Sequence, residues 1–247
     1  MHKPKTAGVI PARYSSVRLP GKPLKMINGK SMIMRVVEQA EKSQMLDDVI
    51  VATDDKRIFD HIVEHGKKAV MTDVSIRTGT DRCFAAVKDS DYDIIVNIQG
   101  DEPLLNPATV DALVKGLLED DLSVCATPVK KVSGTEAAGN VNLVKAVVDN
   151  NGHAMYFSRS PIPFSKDDEP EFYKHIGIYA YRADFLKTFV NMESTSLERS
   201  ESLEQLRILQ NGFKIRCIEV NDDSIGVDTP QDLEKVNGIA ISIEGRK

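Results

Sequence analysis

The stretch "DDVIVATDDKRIFDHIVEHGKKAVMT", residues 47–72, decides the fold class. It opens on the apolar run Val49, Ile50 and Val51 and closes on a second strand-like run, with an amphipathic segment between them. Continuous short apolar runs are typical of strands that are covered on both faces, and an intervening helix allows a parallel connection. The stretch therefore predicts a strand–helix–strand unit of an α/β protein.

The same alternation extends outward through the first half of the chain. A strand "TAGVIP" and a helix "SMIMRVVEQAEK" precede the stretch, and a helix "TDRCFAAVKD" and a strand "DIIVNIQG" follow it. After the helix "NPATVDALVKGLLEDD", strand-like runs follow closely in "LSVCATPVKKV", "NLVKAVVD", "HAMYFSR" and "YKHIGIYAYR". We predict a doubly wound, mostly parallel sheet with a smaller, partly antiparallel lobe.

The last part of the chain predicts a return to the first lobe. A helix from about Leu197 has a capping box at Thr195 and Glu198 and a stop signal at Gly212. The strand "FKIRCIEV" and the helix "DTPQDLEKVNG" follow. With no repeat and no long linker, residues 1–247 are expected to form a single domain, with one part at about 1–120 and 213–247 and the other at about 121–212.

Composition restricts the partners and the compartment. Lysine and arginine number 32 against 37 acidic residues, a net charge of -5, so no global basic field favours nucleic acid or an anionic membrane. The three widely spaced cysteines indicate neither a disulfide framework nor a zinc site. No apolar run approaches the roughly 20 residues of a membrane helix, and the first residues lack a secretory apolar region. We expect a soluble, cytoplasmic protein.

The stretch "VIPARYSSVRLPGKPL", residues 9–24, places cations directly after the first predicted strand. Gly21 permits close backbone approach, and Arg13, Arg18 and Lys22 offer donors to phosphate oxygens. A solvated basic loop is the alternative, which the Pro-Gly-Lys-Pro string disfavours. A Walker loop is excluded because Leu24 stands where that motif needs glycine, and no G-x-G-x-x-G follows the first strand.

Two acidic residues follow apolar runs. Asp101 lies in "IVNIQGDEP" and Asp228 in "IGVDTP", and carboxylate oxygens at strand ends suit Mg²⁺. Each has a structural alternative: Asp101 as the cap of a turn, and Asp228 as the cap of the helix that Pro230 helps to begin. In "RTGTDR", Thr78, Gly79 and Thr80 could contact a base edge or begin a helix.

Seven motifs in order carry a resemblance to a known family. They are Arg-Leu-Pro-Gly-Lys-Pro-Leu, Gly-Thr-Asp-Arg, Gln-Gly-Asp-Glu-Pro, Tyr-Phe-Ser-Arg, His-Ile-Gly-Ile-Tyr, Leu-Glu-Gln-Leu-Arg and Gly-Val-Asp-Thr-Pro, between Val9 and Leu233. The chain resembles the 3-deoxy-manno-octulosonate (Kdo) cytidylyltransferases. The resemblance implies a nucleotide-diphospho-sugar transferase-like fold, a homodimer formed through the second lobe, and transfer of CMP from CTP to an acidic eight-carbon sugar for lipopolysaccharide, with release of pyrophosphate.

The resemblance also implies the site residues. It places Mg²⁺ on Asp101 and Asp228, with Lys22 and Arg18 beside them as catalytic cations. The implied nucleotide-binding residues are Ala12, Arg13, Arg18, Lys22, Thr78, Gly79, Thr80, Arg82 and Gln99. Thr78 departs slightly from the serine that the family often has there, and it keeps the hydroxyl.

The implied sugar-binding residues lie in the second lobe: Arg159, Lys166, His175, Tyr179, Glu204 and Gln205. A sugar carboxylate needs a cation such as Arg159 or Lys166, and hydroxyls suit mixed donors and acceptors. The alternatives are packing for Tyr179 and a solvated helix face for Glu204 and Gln205.

Two other functions compete with this one. The acceptor could be a sialic acid or an 8-amino octulosonate, and the Arg18–Leu24 loop argues against the sialic branch only. A non-catalytic nucleotide-binding module is the alternative of a different class, and the presence of both aspartates argues against it.

Overall fold

Strands and helices alternate as the first half of the sequence predicts. The computed structural model describes residues 3–15, 18–166, 170–222 and 225–245. In chain order the strands are β1 (Thr6–Ala12), β2 (Met26–Ile27), β3 (Lys30–Ser31), β4 (Asp48–Thr53), β5 (Lys68–Met71), β6 (Ile94–Asn97), β7 (Ser123–Ser133), β8 (Lys145–Val148), β9 (Ala154–Ser158), β10 (Glu171–His175), β11 (Tyr179–Arg182) and β12 (Lys214–Glu219). The helices are α1 (Met32–Ala40), α2 (Lys56–Glu64), α3 (Gly79–Val87), α4 (Pro107–Leu118), α5 (Thr135–Gly139), α6 (Ala183–Val190), α7 (Ser196–Glu201), α8 (Gln205–Gln210) and α9 (Pro230–Glu244).

The backbone contacts divide the chain into two compact units. Residues 1–111 and 224–247 form the first unit, and residues 112–223 form the second. Strand β12 therefore belongs to the second unit, although the sequence analysis grouped it with the first part. The expectation of a single domain stays a prediction. Among the described residues, no helix has the length and apolarity needed to cross a membrane.

The first unit contains a parallel sheet, which confirms the predicted α/β class. Its strand order is β5-β4-β1-β6, and each neighbouring pair is parallel. The central strand β1 is enclosed because Ala7, Val9 and Ile10 have no exposed surface. Because all four strands are parallel, their carboxyl ends meet at one edge, where ligands bind in sheets of this kind.

The second unit is mostly antiparallel, as predicted for the smaller lobe. Strand β7 pairs antiparallel with β10 and β11 and parallel with β12. Strand β8 pairs antiparallel with both β10 and β9. The run "YKHIGIYAYR" is divided between β10 and β11, which are separated by residues 176–178.

One predicted helix is wrong in its extent. The segment after Thr195 forms two short helices, α7 and α8, because Ser202 adopts a left-handed conformation with φ 54° and interrupts the first one. The buried side chain of Leu203 follows directly and anchors this bend. At the predicted capping box, Glu198 Oε2 accepts from Thr195 N at 3.2 Å, whereas Thr195 Oγ1 has no hydrogen-bond partner among the described residues; Gly212 follows α8 with φ 81°.

Candidate active site

The end of the cationic loop, residues 18–24, forms a turn. Gly21 adopts φ 67°, and its amide donates to the carbonyl of Tyr14 at 3.1 Å. The positive φ favours glycine, and a Cβ at residue 21 would lie only 3.1 Å from the Tyr14 ring. A short 3-10 turn, Lys22–Leu24, begins directly after it, and the nearby Leu19 is buried. The loop therefore holds Lys22 in a defined position.

Lys22 joins the two predicted acidic residues. Its Nζ donates to Asp101 Oδ2 at 2.6 Å and to Asp228 Oδ1 at 3.0 Å. Arg18 Nη2 lies 3.1 Å from the second oxygen of Asp228. Residues from three distant parts of the sequence thus converge on one point of the first unit.

The backbone around Asp101 is positioned by a close approach to β1. A Cβ on Gly100 would lie 2.9 Å from the carbonyl oxygen of Pro11, so only glycine fits between strand β6 and the acid. The carbonyl of Asp101 also accepts a hydrogen bond from Val227 N at 2.9 Å. Since Val227 precedes Asp228, this bond sets the two acids side by side.

Asp228 is not the cap of the last helix. Thr229 is the N-cap of α9, with Pro230 in the first turn and Asp232 completing a capping box. The side chain of Asp228 is thereby left to pair with Lys22 and Arg18. The structure decides this question, which the sequence pattern had left open.

The pKa of Lys22 is raised above its usual value. Burial lowers it, but the charge of Asp101 and hydrogen bonds to Asp101 and Asp228 outweigh that effect. Lys22 is therefore an ammonium ion at neutral pH, and it balances part of the negative charge of the two carboxylates.

A second cationic group lies at the ends of β1 and β4. Arg82 is 1% exposed, and it donates to Asp54 Oδ2 at 2.8 Å, Thr72 Oγ1 at 2.5 Å and the carbonyl of Ile76 at 3.1 Å.

Arg13 follows Ala12, the last residue of β1, and its Nε lies 3.9 Å from the same Asp54 oxygen. Arg13 Nη2 is buried and has no hydrogen-bond partner among the described residues. That atom is free to bind an anion, whereas the guanidinium of Arg82 is already engaged in holding Asp54.

The segment Thr78, Gly79 and Thr80 begins helix α3. Thr78 is the N-cap, and its Oγ1 accepts from Asp81 N at 3.0 Å, so the capping role is realised at this position. Thr80 is buried and accepts a 3.4 Å hydrogen bond from Asn97 Nδ2. Asn97 Oδ1 is buried without a partner among the described residues. Gln99 follows two residues later, in the turn that leads to Asp101.

Asp54 and Asn97 lie in this site, although neither was predicted from the sequence motifs. Asp54 orients both arginines, and its only sequence signal is its place after β4 in "VATDD". Asn97 is the polar end of an apolar strand, which is also a weak signal. Neither sequence position shows which groups the side chain of Asp54 or Asn97 contacts in the fold.

The predicted sugar residues lie in the second unit, where His175 is held by Thr127. His175 Nε2 lies 2.9 Å from Thr127 Oγ1, while that hydroxyl donates toward the carbonyls of Ile178 and Ile176 at 2.9 and 3.2 Å. Since a hydroxyl has one hydrogen, Nε2 must be the donor to Thr127, which leaves Nδ1 as an acceptor. Burial lowers the pKa of His175 to about 3, so the ring is neutral.

Two further predicted sugar residues, Tyr179 and Gln205, also lie in the second unit. The ring of Tyr179 lies 5.4 Å from that of His175, and its pKa is raised by burial, by Cys125 and by Glu204. Gln205 is 4% exposed, and its Nε2 has no hydrogen-bond partner among the described residues. The alternative of a solvated helix face is therefore wrong for Gln205.

Arg159 and Lys166 differ in how they are held. Arg159 Nε donates to the carbonyl of Glu201 at 2.9 Å and its Nη1 to the carbonyl of Val141 at 3.1 Å. Lys166 is exposed, and no contact joins it to the other predicted sugar residues within the described part of the chain. Its role stays a prediction.

Comparisons with known proteins agree with the motifs. A family model described as Cytidylyltransferase matches residues 7–215. A relative from Chloroherpeton thalassium named 3-deoxy-manno-octulosonate cytidylyltransferase is 45% identical, over 94% of this chain and 96% of its own length. A relative of the same name from Phocaeicola vulgatus is 47% identical, over 98% and 99%. The chain belongs to the 3-deoxy-manno-octulosonate cytidylyltransferases.

Two solved structures have the same fold as this chain. A CMP:2-keto-3-deoxy-manno-octonic acid synthetase complexed with CTP superposes with a TM-score of 0.93 at 43% identity, covering 97% of this chain and 99% of the other. A 4-diphosphocytidyl-2C-methyl-D-erythritol synthase from Anaerococcus prevotii has a TM-score of 0.64 at 14% identity, which shows the fold alone.

The acidic pair of this family member fits a Mg²⁺ ion. Asp101 and Asp228 already converge on one cationic atom, Lys22 Nζ, in an arrangement that a divalent ion could also use. Among the described residues, no group of three or more histidine, cysteine or acidic side chains could hold a metal. The remaining ligands would be phosphate oxygens and waters, which Mg²⁺ accepts readily.

Proposed function

We propose that this chain transfers CMP from CTP to Kdo, giving CMP-Kdo and pyrophosphate for lipopolysaccharide biosynthesis. The observation that carries the proposal is the convergence of Lys22, Asp101 and Asp228 in the first unit. The names of the relatives supply the acceptor sugar, and the solved structure complexed with CTP supplies the donor. The reaction is attack by the anomeric hydroxyl of the sugar on the α-phosphorus of CTP, with pyrophosphate as the leaving group.

Asp101 and Asp228 would hold Mg²⁺, which when bound polarises the α-phosphate and lowers the pKa of the attacking hydroxyl. Arg18 and Lys22 bind the β- and γ-phosphates and stabilise the departing pyrophosphate through charge and hydrogen bonds. Lys22 can bind these phosphates because their oxygens can replace Asp101 and Asp228 as acceptors of its ammonium hydrogens. Phosphoryl-type transfer depends mainly on such positioning and charge neutralisation.

Arg13 binds the triphosphate in this proposal. Its buried Nη2 lacks a partner, and a phosphate oxygen would satisfy it. Arg82 contacts the same Asp54 oxygen as Arg13, and its predicted role in nucleotide binding stays a prediction. The start of α3, with Thr78, Gly79 and Thr80, contacts the cytidine, and we add Asn97 to this group because of its unpartnered oxygen.

The second unit binds the sugar in this proposal. His175 Nδ1 accepts from a sugar hydroxyl, and the unpartnered Nε2 of Gln205 donates to another. Arg159 binds the carboxylate with the donor positions that face away from its backbone partners. These three residues supply the donors and acceptors that an acidic polyol requires.

We also propose a homodimer in the cytoplasm. The second unit exposes Phe164, Met155 and Val141, with Phe164 86% exposed. Phe164 lines a largely apolar cavity of about 290 Å³ together with Pro163 and Phe172. An apolar surface of this kind supports association with a second copy. The three described cysteines are free and buried, which suits a reducing compartment.

Pyrophosphate release from purified protein with CTP and Mg²⁺ tests the function. The acceptor panel contains Kdo, 8-amino-Kdo and N-acetylneuraminate, and we expect turnover with Kdo. Turnover only with another sugar would keep the chemistry and replace the acceptor. If no pyrophosphate is released with any of the three sugars although CTP binds, the non-catalytic nucleotide-binding module is favoured.

The metal assignment has its own test. Asp101→Asn and Asp228→Asn should each lower kcat by roughly 100-fold or more, because the lost charge acts mainly in the transition state. Asp89→Asn, on an exposed residue of the same unit, is the control. Mg²⁺-saturated turnover of Asp101→Asn at the wild-type rate would contradict the assignment.

A further inference from the structure

Lys145 is a fully buried lysine that the proposed reaction does not use. It lies at the start of β8 with no exposed surface. Its Nζ donates to the carbonyl oxygens of Asn140 at 2.9 Å, Leu143 at 2.8 Å and Arg159 at 2.6 Å. The side chain thus joins the turn before β8 to the residue that follows β9.

The three partners of Lys145 define its protonation state. All three are acceptors, and only an ammonium has three hydrogens to donate, since a neutral amine would direct a lone pair at one of the carbonyl oxygens. Burial lowers the pKa of Lys145, the charge of Arg159 lowers it further, and Glu201 opposes them. A buried positive charge without a salt bridge is costly, so its retention calls for an explanation.

Glu201 does not pair directly with Lys145. Its Oε1 accepts from Ser158 Oγ at 2.6 Å, and its Oε2 accepts from the amide of Arg159 at 2.9 Å. Two cations, Lys145 and Arg159, therefore stand against one carboxylate. The local excess of positive charge lies beside the guanidinium that the proposed function assigns to the sugar carboxylate.

Arg159 depends on the same backbone that Lys145 holds. Its Nη1 contacts the carbonyl of Val141, inside the turn whose ends at Asn140 and Leu143 are bonded to Lys145. Its own carbonyl is the third acceptor of Lys145. A change at Lys145 would release the turn and the main chain of Arg159 together.

We propose that Lys145 is a positioning residue for the anionic end of the acceptor sugar: it fixes Arg159 and adds buried positive charge behind it. The proposal rests on the proposed function, because it takes an acidic sugar as the acceptor. Lys145 acts through Arg159 and does not touch the substrate.

Lys145→Met tests this inference, since it keeps the length of the side chain and removes the charge. We expect KM for Kdo to rise roughly tenfold, the effect of losing one partly screened charge, while KM for CTP stays within about twofold. The preference for Kdo over its neutral methyl ester should shrink in parallel. Lys187→Met, on an exposed lysine of α6, is the matched control.

Two further measurements separate positioning from folding. Lys145→Arg, which keeps the charge, should retain more of the preference for Kdo over the ester than Lys145→Met. In the wild-type protein, the ¹⁵N signal of the Lys145 ammonium should shift when Kdo is added and shift less with the methyl ester. This signal decides the question if Lys145→Met does not fold.

The outcomes are distinguishable from failure of the proposed function. If the wild-type protein releases no pyrophosphate with acidic sugars, both the proposed function and this inference are refuted. An active wild type whose Lys145→Met variant keeps KM for Kdo and the ester preference refutes the inference alone. Equal increases in KM for Kdo and CTP would also overturn it, because they indicate a general structural role.

Discussion

Desolvation lowers the pKa of the half-buried His175, so its imidazole is neutral at pH 7. Its pKa of about 3 lies below the 6.5 of an exposed histidine, so between these values the unfolded chain binds a proton that the folded chain does not. Stability from this residue is present above pH 6.5 and declines as the pH falls from 6.5 toward 3.

We therefore predict that the ring signals of His175 do not titrate between pH 7 and 5. Two-dimensional NMR of the imidazole groups checks this, with the more exposed His65 as an internal comparison. A midpoint near 6.5 for His175 would show that the ring is solvated and would remove the argument that Nδ1 is the acceptor.

In the proposed mechanism, Lys22 is the cation that contacts both Asp101 and Asp228. We predict that Lys22→Met lowers kcat by roughly 100-fold, because a fixed donor to the leaving phosphates is lost. Lys25→Met changes an exposed lysine three residues away and should keep the wild-type rate. Steady-state kinetics at saturating CTP and Mg²⁺ checks this, and equal rates for the two variants would contradict the role of Lys22.

The sequence predicted which residues belong to the site better than it predicted which groups those residues contact. Asp101, Asp228 and Lys22 were identified from strand ends and from the family resemblance, and the structure brings them together. Asp54 and Lys145 were missed because their importance comes from contacts with groups distant in the sequence. A lysine in "NLVKAVVD" looks like an ordinary polar position in a strand until its three carbonyl partners are seen.

Helix α9 is attached to the hairpin that follows the cationic loop. The backbone amide of Asn28, at the hairpin turn, donates to Asn237 Oδ1 at 2.7 Å, and its side-chain Nδ2 donates to Glu244 at 2.6 Å. Arg35 Nη1 donates to the same Glu244 at 2.7 Å. Below these bonds, a core cluster contains Leu19, Ile27, Met32, Val227, Val236 and Ala240. The helix thereby holds the residues that flank Lys22 and Asp228.

We predict that Glu244→Gln lowers the urea midpoint at pH 7. Hydrogen bonds from Arg35 and Asn28 lower the pKa of Glu244 from 4.5 to about 2, so its contribution to stability is present above pH 4.5 and is lost as the pH falls through 2. The difference between wild type and variant should therefore shrink toward pH 2. Glu234→Gln, on an exposed residue of the same helix, should have little effect.

The elements themselves were predicted unevenly. The strands of the parallel sheet have continuous apolar runs bounded by polar residues, so their positions followed from pattern alone. The eight-residue helix α6 was not predicted, because it is stabilised by tertiary packing of Phe185, Leu186 and Phe189. The break between α7 and α8 was also missed, since no glycine or proline marks Ser202.

For the whole molecule, we predict that Phe164→Glu converts a dimer into a monomer. A buried carboxylate would face the apolar surface of the other copy without a partner. Light scattering coupled to size-exclusion chromatography checks this. Val74→Glu, on an exposed apolar residue of the first unit, is the control and should leave the mass unchanged. A wild-type protein that is monomeric at working concentrations would contradict the dimer.

The bond between Lys22 and Asp228 spans 206 residues of sequence, which has a consequence for synthesis. A ribosome adding roughly 5–20 residues each second needs on the order of 10–40 s to travel from one to the other. The cationic loop and Asp101 emerge early, but the second carboxylate and the helix behind it emerge near the end. In the proposed mechanism, which needs Asp228, we expect stalled chains lacking residues 224–247 to release no pyrophosphate, so that CTP is consumed only after the acceptor-binding unit has been made.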